Sequence, residues 1–411
     1  MLNRIFNVGL RGLTLAMKFV LLFALGRMLE PTQVGLYGLM FAAVTYGAGI
    51  AGFGFCKYAN REVAALDDAS RTVLLRDQAV FYALAYIAVL PAVWLVFRAE
   101  LLPWTLFGWF LVLLVFEHIA TELGRVLVVL HDQIAVTAVL FLRGGLWVIA
   151  LVPLMAWRPE ARSLDAVLAF WLVGSVLACA FGLWRTLRIG PWSWTRTVDW
   201  AWLRRGVRIA APLLLATLVL KGLTTFDRFW IKSIGGYEVL AAYVLFAGIS
   251  GVVKAFLDSG VFVFSYPKMI LAARRGDRAA FEAGLRALAW QTAAVTLVIA
   301  GVAIFAINPL LAWIDRPVYG EHIELFYWSL LAIFGYAAAM VLHYAVYAYD
   351  QDRIIIVSHL VGLAAFGVTG FLLADWLGAV AIPIALCLAY FTIFLIKSVA
   401  FTHILRSRES S

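Results

Sequence analysis

Long apolar segments separated by short polar connections make up most of the chain. About twelve of these segments reach the length of roughly 20 residues that a helix needs to cross a bilayer. Their approximate bounds are 8–29, 34–56, 78–97, 103–130, 134–156, 164–187, 208–231, 238–264, 284–307, 322–348, 354–373 and 377–402. Backbone polar groups inside lipid must be bonded within their own segment, so each segment is expected to be an α-helix. The pattern predicts an all-α polytopic membrane protein.

Composition supports this interpretation. Of 411 residues, 64% are hydrophobic and 14% are charged, which leaves too little polar surface for a soluble globule. Cys56, Cys179 and Cys387 lie in or beside apolar segments without metal-ligand spacing, and we interpret them as core thiols. We expect no metal and no cofactor. The net charge of +9 favours anionic lipid headgroups or an anionic cargo, and no soluble domain is present to bind nucleic acid.

The polar connections alternate between a strongly basic set and a weakly basic set. Basic connections mark the cytoplasmic side of a membrane protein, so the chain is predicted to be N-in and C-in, with an even number of spans. Residues 191–207 interleave tryptophan with arginine, which is typical of a helix at the headgroup level. We interpret this stretch as a linker between an N-terminal lobe, 1–190, and a C-terminal lobe, 208–411.

Two short sequence matches relate these halves. The residues that begin at Tyr37 resemble those at Tyr243, and the residues that begin at Leu130 resemble those at Tyr349. Both offsets slightly exceed two hundred residues, which predicts two pseudo-symmetric lobes of six helices. A cavity between such lobes would be the natural site for a cargo.

The first apolar segment carries Arg4, Arg11 and Lys18, each seven residues after the last. This spacing leaves all three on one helical face. A charge at the bilayer centre costs about 3 kcal/mol on insertion scales, so such a face normally points into a bundle or a wet cavity. Alternatively, these residues are cytoplasmic anchors, with Lys18 reaching towards the interface. We favour an anchor for Arg4 and a hydrated cationic chamber for Lys18.

The seventh and eighth segments repeat this charge pattern. Lys221 and Arg228 are seven residues apart, with Asp227 beside Arg228. Lys254 and Asp258 are four residues apart, a spacing at which two side chains can pair on a helix. These two residues form either a neutralised structural pair or part of a cargo site, and the sequence does not decide between the two.

Three other segments carry ionisable residues. In the fourth, His118, Glu122 and Arg125 share one helical face. In the tenth, His343, Tyr347 and Asp350 take the same spacing. The full set of candidates for ion coupling or structural pairing is Glu117, His118, Glu122, Asp227, Asp258, His343 and Asp350. A buried carboxylate or imidazole can carry protons in an ion-coupled transporter, whereas Glu122 with Arg125 would equally serve as a polar clasp between helices. Arg143, within the fifth segment, is a further candidate cation.

Motifs of enzyme active sites are lacking. The sequence contains no glycine-rich phosphate loop, no zinc-binding histidine pair on a helix and no nucleophile elbow. We therefore predict a membrane transporter and not an enzyme.

Four motifs resemble a known family. Leu29-Glu-Pro-Thr-Gln-Val-Gly-Leu-Tyr-Gly-Leu follows the first segment. Gly52-Phe-Gly-Phe lies in the second segment and Asn60-Arg-Glu just after it, and Asp227-Arg-Phe-Trp-Ile lies in the seventh. Together with span number and spacing, these motifs resemble the polysaccharide transporter family. That family includes the Wzx-type O-antigen and capsule flippases of the multidrug/oligosaccharidyl-lipid/polysaccharide (MOP) exporter superfamily.

The resemblance implies a V-shaped pair of six-helix, MATE-like lobes in the bacterial inner membrane. It implies a flippase that moves undecaprenyl-pyrophosphate-linked oligosaccharides to the periplasmic leaflet by alternating access. Its partners would be this lipid-linked glycan, membrane lipids, a polysaccharide polymerase and a chain-length regulator. Cations of the chamber would donate charge-assisted hydrogen bonds to the anionic cargo. The candidate cations are Arg11, Lys18, Arg125, Arg143, Lys221, Arg228 and Lys254.

Two other functions remain open. Drug/ion antiporters of the superfamily often have an acidic residue in an early helix, where this chain has Arg11 and Lys18. A basic chamber disfavours cationic drugs, so a MATE-like exporter of drugs or metabolites is the second hypothesis. A membrane scaffold for glycan-synthesis enzymes is the third, and the cost of intramembrane cations argues against it.

Overall fold

The computed structural model describes residues 2–409 except 191 and 193–195. These residues form helices joined by short turns, and the predicted all-helical, multi-pass architecture is confirmed. The chain divides into two compact units, Met1–Lys221 and Gly222–Ser411.

The first unit contains nine α-helices among its described residues. They are α1 (Leu2–Met28), α2 (Pro31–Ala51), α3 (Phe55–Ala64), α4 (Asp68–Arg98), α5 (Phe107–Val129), α6 (Gln133–Phe141), α7 (Trp147–Trp157), α8 (Leu164–Leu187) and α9 (Trp200–Gly222). A π-helical segment, Leu142–Leu146, joins α6 to α7. Short 3-10 turns precede α5 and α8.

The second unit contains seven α-helices among its described residues. They are α10 (Phe226–Phe256), α11 (Val263–Arg275), α12 (Arg278–Ile314), α13 (Pro317–Glu321), α14 (Glu324–Ala348), α15 (Asp352–Leu377) and α16 (Ala381–Glu409). A second π-helical segment, Leu257–Phe262, joins α10 to α11.

Ten stretches of the described residues are long and apolar enough to span a membrane. Two of them, Thr217–Arg275 and Asp352–Arg406, have 59 and 55 residues, far more than the roughly 20 that one crossing needs. A glycine with positive φ interrupts each stretch, Gly236 at 75° and Gly378 at 57°. Each of the two long stretches has the length of two crossings, and such a division would give the described residues the twelve crossings that the hydrophobic pattern predicts.

Corresponding helices of the two units end in the same way. Glu100 follows α4 with a φ of 57°, and Asp315 follows α12 with a φ of 58°. His131 follows α5 at 58°, and Asp350 follows α14 at 56°. A left-handed residue after a helix lets the next backbone N–H groups bond the last free carbonyls. The second pair lies inside one of the two sequence matches between the halves.

Close helix packing positions the π-helical segment of the first unit. A Cβ atom on Gly174 of α8 would lie 2.5 Å from Trp147 Cδ1 and 2.8 Å from the Leu142 carbonyl oxygen. Only glycine allows α8 to approach this closely, because a methyl group would overlap both atoms. The backbone around Arg143 is thus held against α8.

Part of the predicted linker, 191–207, falls outside the described residues, namely 191 and 193–195, which include Trp194. Trp200 begins α9, which continues without interruption into the seventh apolar segment. Trp202 is buried and packs against Phe55, with 5.2 Å between the ring centroids.

A buried ion pair holds the described part of the linker. Arg76 and Asp77 of α4 are 3% and 0% exposed, and Arg76 Nη2 lies 2.6 Å from Asp77 Oδ1. Arg76 Nη1 donates to the Arg196 carbonyl oxygen at 2.7 Å, and the Asp199 backbone N–H donates to Asp77 Oδ2 at 3.0 Å. The beginning of α9 is therefore anchored to α4.

Candidate functional site

The charged face of α1 lies against the π-helical segment. Lys18 Cε is 3.5 Å from the position that a Cβ atom on Gly144 would occupy. Arg11 and Lys18 are both exposed side chains, and neither belongs to an ion pair among the described residues. The Arg4 side chain lies outside the description. Because α1 is one continuous helix, Arg11 and Lys18 share a face as predicted.

Arg143 and Glu117 form an ion pair beside Lys18. Arg143 Nε lies 3.0 Å from Glu117 Oε2. Trp171 Nε1 and Ser175 Oγ donate to Glu117 Oε1 at 2.9 and 2.7 Å. The carboxylate of Glu117 thus accepts two hydrogen bonds and forms one ion pair in a buried position, as a charged group inside a membrane protein requires.

The π-helical segment sets the direction of the Arg143 side chain. The wider turn of this segment contains the dipeptide Gly144-Gly145, and the lack of side chains there leaves room for α1. Arg143 Nη1 also donates to Thr121 Oγ1 at 2.6 Å, one helical turn from Glu117. The guanidinium therefore spans two turns of α5, and its side chain stays 29% exposed.

A second clasp lies on α5. Arg125 Nη1 is 2.5 Å from Glu122 Oε1 and 3.2 Å from Cys56 Sγ. The Tyr82 hydroxyl donates to Glu122 Oε2 at 2.5 Å, and Gln78 Nε2 donates to the same tyrosine oxygen at 2.7 Å. The Glu122 side chain is 7% exposed and that of Arg125 is 43% exposed. The polar clasp considered from the sequence is present, and its cation remains accessible.

His118 shares this face of α5. Its Nδ1 atom lies 2.9 Å from the Tyr86 hydroxyl, while its buried Nε2 atom has no hydrogen-bond partner among the described residues. A Cβ atom on Gly52 would lie 3.0 Å from Glu122 Oε1 and 3.4 Å from His118 Nε2. The turn between α2 and α3 thus passes directly over both ionisable side chains, and a larger residue at Gly52 would require these side chains to shift.

Lys221, at the end of α9, approaches α2. Its Nζ atom lies 3.4 Å from the position of a Cβ atom on Gly49. The candidate residues of the first unit are Arg11, Lys18, Arg125, Arg143 and Lys221, with Glu117 and Glu122 as the acids. With five cations, two anions and a neutral histidine, this set carries a net charge of +3.

Asp227 and Arg228 open α10 in the second unit. Asp227 is 3% exposed, accepts a hydrogen bond of 2.5 Å from the Tyr243 hydroxyl, and accepts another of 2.7 Å from the Arg228 backbone N–H. Asp227 is thereby held as a structural acceptor at the beginning of the helix, where the dipole favours an anion.

Lys254 and Asp258 pair where α10 meets the second π-helical segment. Lys254 Nζ lies 2.8 Å from Asp258 Oδ2 and donates to the Tyr336 hydroxyl at 2.6 Å. The ammonium also lies 4.5 Å from the centroid of the Tyr336 ring. The neutralised pair is the arrangement that the structure shows, with both side chains nearly half exposed.

His343 of α14 belongs to a cluster that the sequence interpretation missed. Lys397 Nζ of α16 lies 3.5 Å from His343 Nδ1 and 3.2 Å from His359 Nε2. Asp350 does not join His343, because α14 ends at Ala348 and Asp350 is an exposed turn residue. A lone lysine within the long apolar run at 377–402 was the signal for Lys397.

Comparisons with known proteins concern the fold. No protein-family model matches the sequence, and no curated protein matches it. One solved structure, an inward-facing multidrug resistance MATE family transporter of the MOP superfamily, has a TM-score of 0.76 at 13% identity over 95% of each chain. An outward-facing MATE family transporter has a TM-score of 0.62 at 14% identity, over 98% of this chain and 94% of that one. A MATE in complex with MaD3S has a TM-score of 0.61 at 15% identity, over 97% of this chain and 94% of that one.

These similarities extend over nearly the whole length of each chain, at identities of 13–15%. The chain has the fold of the MATE transporters of the MOP superfamily.

Proposed function

We propose that this protein is a flippase of the bacterial inner membrane. Its cargo is an undecaprenyl-pyrophosphate-linked oligosaccharide, a repeat unit of O-antigen, capsule or another exopolysaccharide. It moves this cargo from the cytoplasmic to the periplasmic leaflet by alternating access. The lipid tail stays in the bilayer, while the anionic headgroup crosses a hydrated cationic chamber lined by α1.

The observation that carries the proposal is the state of Lys18. It lies midway along an apolar helix, is exposed, and belongs to no ion pair among the described residues. The neighbouring acid, Glu117, is already bound by Arg143. An uncompensated cation in a membrane span is costly unless water or an anionic ligand meets it. A diphosphate supplies such an anion, and a lysine ammonium binds it as a point charge.

The positive surface of the first unit is extended by four further cations, Arg11, Arg125, Arg143 and Lys221. Arg125 and Arg143 each use one side of the guanidinium for a glutamate, and both remain partly exposed. Since a guanidinium has five N–H donors, each retains donors for a phosphate or an acidic sugar. The remaining cations that we propose to contact the cargo are Arg228 and Lys254 of the second unit.

Export of cationic drugs is the second candidate, and the ion pairs weigh against it. The buried acids of the first unit, Glu117 and Glu122, are bound by arginines at 3.0 and 2.5 Å. A cationic drug would meet a net positive set of side chains, and like charge would oppose its binding.

The test uses a bacterial strain that lacks this protein but keeps its glycan-synthesis enzymes. We expect undecaprenyl-linked oligosaccharide to accumulate in extracted lipids and surface polysaccharide to disappear. The wild-type protein should reverse both effects, and the Lys18→Ala, Lys221→Ala double variant at matched protein level should not. Lys268→Ala, which removes an exposed cation of α11, is the matched control and should behave as wild type.

Normal transport by the double variant would refute the cationic chamber. Normal lipid-linked pools and normal surface glycan in the deletion strain, with no second flippase present, would refute the flippase. Efflux of cationic drugs would then be measured.

A further inference from the structure

The second unit brings three basic side chains together, two of them buried and His343 partly buried. Lys397 is fully buried and His359 is 4% exposed. Lys397 Nζ lies 3.2 Å from His359 Nε2 and 3.5 Å from His343 Nδ1, so α14, α15 and α16 each contribute one group. The two imidazole rings are nearly parallel, with centroids 5.9 Å apart and planes 13° apart. The proposed cargo contacts do not use this cluster.

No carboxylate neutralises these groups among the described residues. The charged groups that act on His343 are Lys397 and His359, and the one that acts on His359 is Lys397. Tyr347 of α14 stacks on His343 with ring centroids 6.2 Å apart and adds no charge.

α10 also packs against α16. Asp227 of α10 accepts from Tyr243, Glu238 of α10 is exposed, and Asp258 of the following π-helical segment is paired with Lys254, so none of these acids neutralises the cluster.

The distances limit how many protons the cluster holds. Nitrogen atoms 3.2 and 3.5 Å apart are in contact only if one of each pair carries a hydrogen and the other offers a lone pair. One lysine ammonium can donate to two neutral imidazoles, which satisfies all three groups. A further proton on either imidazole would place two positive charges in contact without water, which is strongly unfavourable. The direct contacts also leave no space for an anion between the nitrogen atoms.

We propose that His343, His359 and Lys397 form a proton-binding site that couples movement of α14, α15 and α16 to the transmembrane proton gradient. In the packed arrangement the cluster carries at most one positive charge. Separation of the helices, or entry of water between them, lets the cluster bind a second proton from the aqueous side that it then faces. Proton occupancy and helix packing thus bias one another, as linkage requires. The coupling role rests on the proposed function as a transporter.

The first test needs no transport. Full-length protein with ¹⁵N-labelled histidine is placed in lipid nanodiscs, and the imidazole nitrogen signals are followed against pH. The chain has 6 histidines, and His343→Gln and His359→Gln assign the two signals of interest. Lys397→Met removes the neighbouring charge, so both imidazoles should gain at least about tenfold in proton affinity. Lys268→Met, at an exposed position of α11, is the control and should leave both titrations unchanged.

Identical titrations in the wild type and Lys397→Met would overturn the shared site. If Lys397→Met does not fold, His359→Gln serves instead, because His359 acts on His343, and an unchanged titration of His343 would have the same meaning.

The second test measures flipping in proteoliposomes. The probe is the undecaprenyl-linked oligosaccharide fraction extracted from the deletion strain. An imposed pH gradient should accelerate flipping by the wild type, and Lys397→Met should lose this response. Wild-type flipping that ignores the gradient would overturn proton coupling and leave the flippase standing. Absence of wild-type flipping, with coupled histidine titrations, would refute the flippase and leave the proton site standing.

Discussion

The ion pair between Glu117 and Arg143 offers the sharpest test of how the first unit holds its charges. Glu117→Gln removes the negative charge but keeps an oxygen that can accept from Trp171 and Ser175, which bind Oε1 at 2.9 and 2.7 Å. Arg143→Met removes the cation and keeps an apolar stem of similar length. The two single variants and the double variant form a double-mutant cycle, which isolates the free energy of the pair.

The structure sets the expected magnitude. Two charges 3.0 Å apart attract by about 5 kcal/mol at an effective dielectric constant of 20. Partial exposure of the Arg143 side chain, at 29%, admits water and weakens this attraction. Desolvation of both groups offsets part of the remainder. We therefore expect a coupling free energy of about 1–3 kcal/mol, with each single variant less stable than the wild type.

The assay is reversible unfolding of the purified protein in mixed micelles, followed by tryptophan fluorescence at increasing SDS. Arg278 and Glu282 form the matched control, because they are paired at 2.7 Å on α12 with side chains 57% and 45% exposed. Their cycle should give about 0.3–0.5 kcal/mol, as exposed helix pairs do. A coupling for Glu117 and Arg143 no larger than that of the control pair would refute the argument that burial makes this clasp strong.

Three further outcomes are expected. Gly174→Ala should lower the free energy of unfolding by about 1–3 kcal/mol, because its methyl group would lie 2.5 Å from a tryptophan of α7. Gly251→Ala is the control and should not lower it, because the space around Gly251 is open. SDS unfolding measures both variants, and equal effects would contradict the packing argument. Lys18→Arg should retain more flipping than Lys18→Ala in the deletion strain, since it keeps the charge, and equal loss would show that charge is not the property that matters. Tyr336→Phe should weaken the ion pair between Lys254 and Asp258 by about 0.5–1.5 kcal/mol in a double-mutant cycle, because it removes a hydrogen bond of 2.6 Å and keeps the ring. An unchanged coupling free energy would mean that the hydroxyl does not hold the ammonium in place.

Hydrophobic length was sufficient to predict the helices, because each apolar run in lipid must satisfy its own backbone. It also predicted pairs on one helix, such as Lys254 with Asp258, since a spacing of four residues places two side chains on one face. The sequence pattern predicted the ends of helices less well. Asp350 was grouped with His343 by spacing, yet the helix ends two residues before Asp350, and the chain turns there with a positive φ of 56°.

Contacts between helices lay beyond the sequence pattern. Glu117 binds Arg143 across two helices, and no spacing rule relates residues 26 positions apart. The π-helical segment that aims Arg143 has no distinct apolar signature, because Gly144 and Gly145 also occur in ordinary helices. Lys397 was visible as a single charge in an apolar run, but only the fold brings it to His359.

The two units treat buried charge in opposite ways, and this contrast supports separate roles. In the first unit each buried glutamate of α5 is bound by an arginine, and Lys18 belongs to no ion pair among the described residues. That arrangement suits an anionic cargo, because added negative charge completes the neutralisation. In the second unit Lys397 lies between two imidazoles in a fully buried position, where the direct contacts between nitrogen atoms leave no space for an anion. A proton is the one cation small enough to enter such a cluster, so cargo binding and energy coupling need not compete for the same residues.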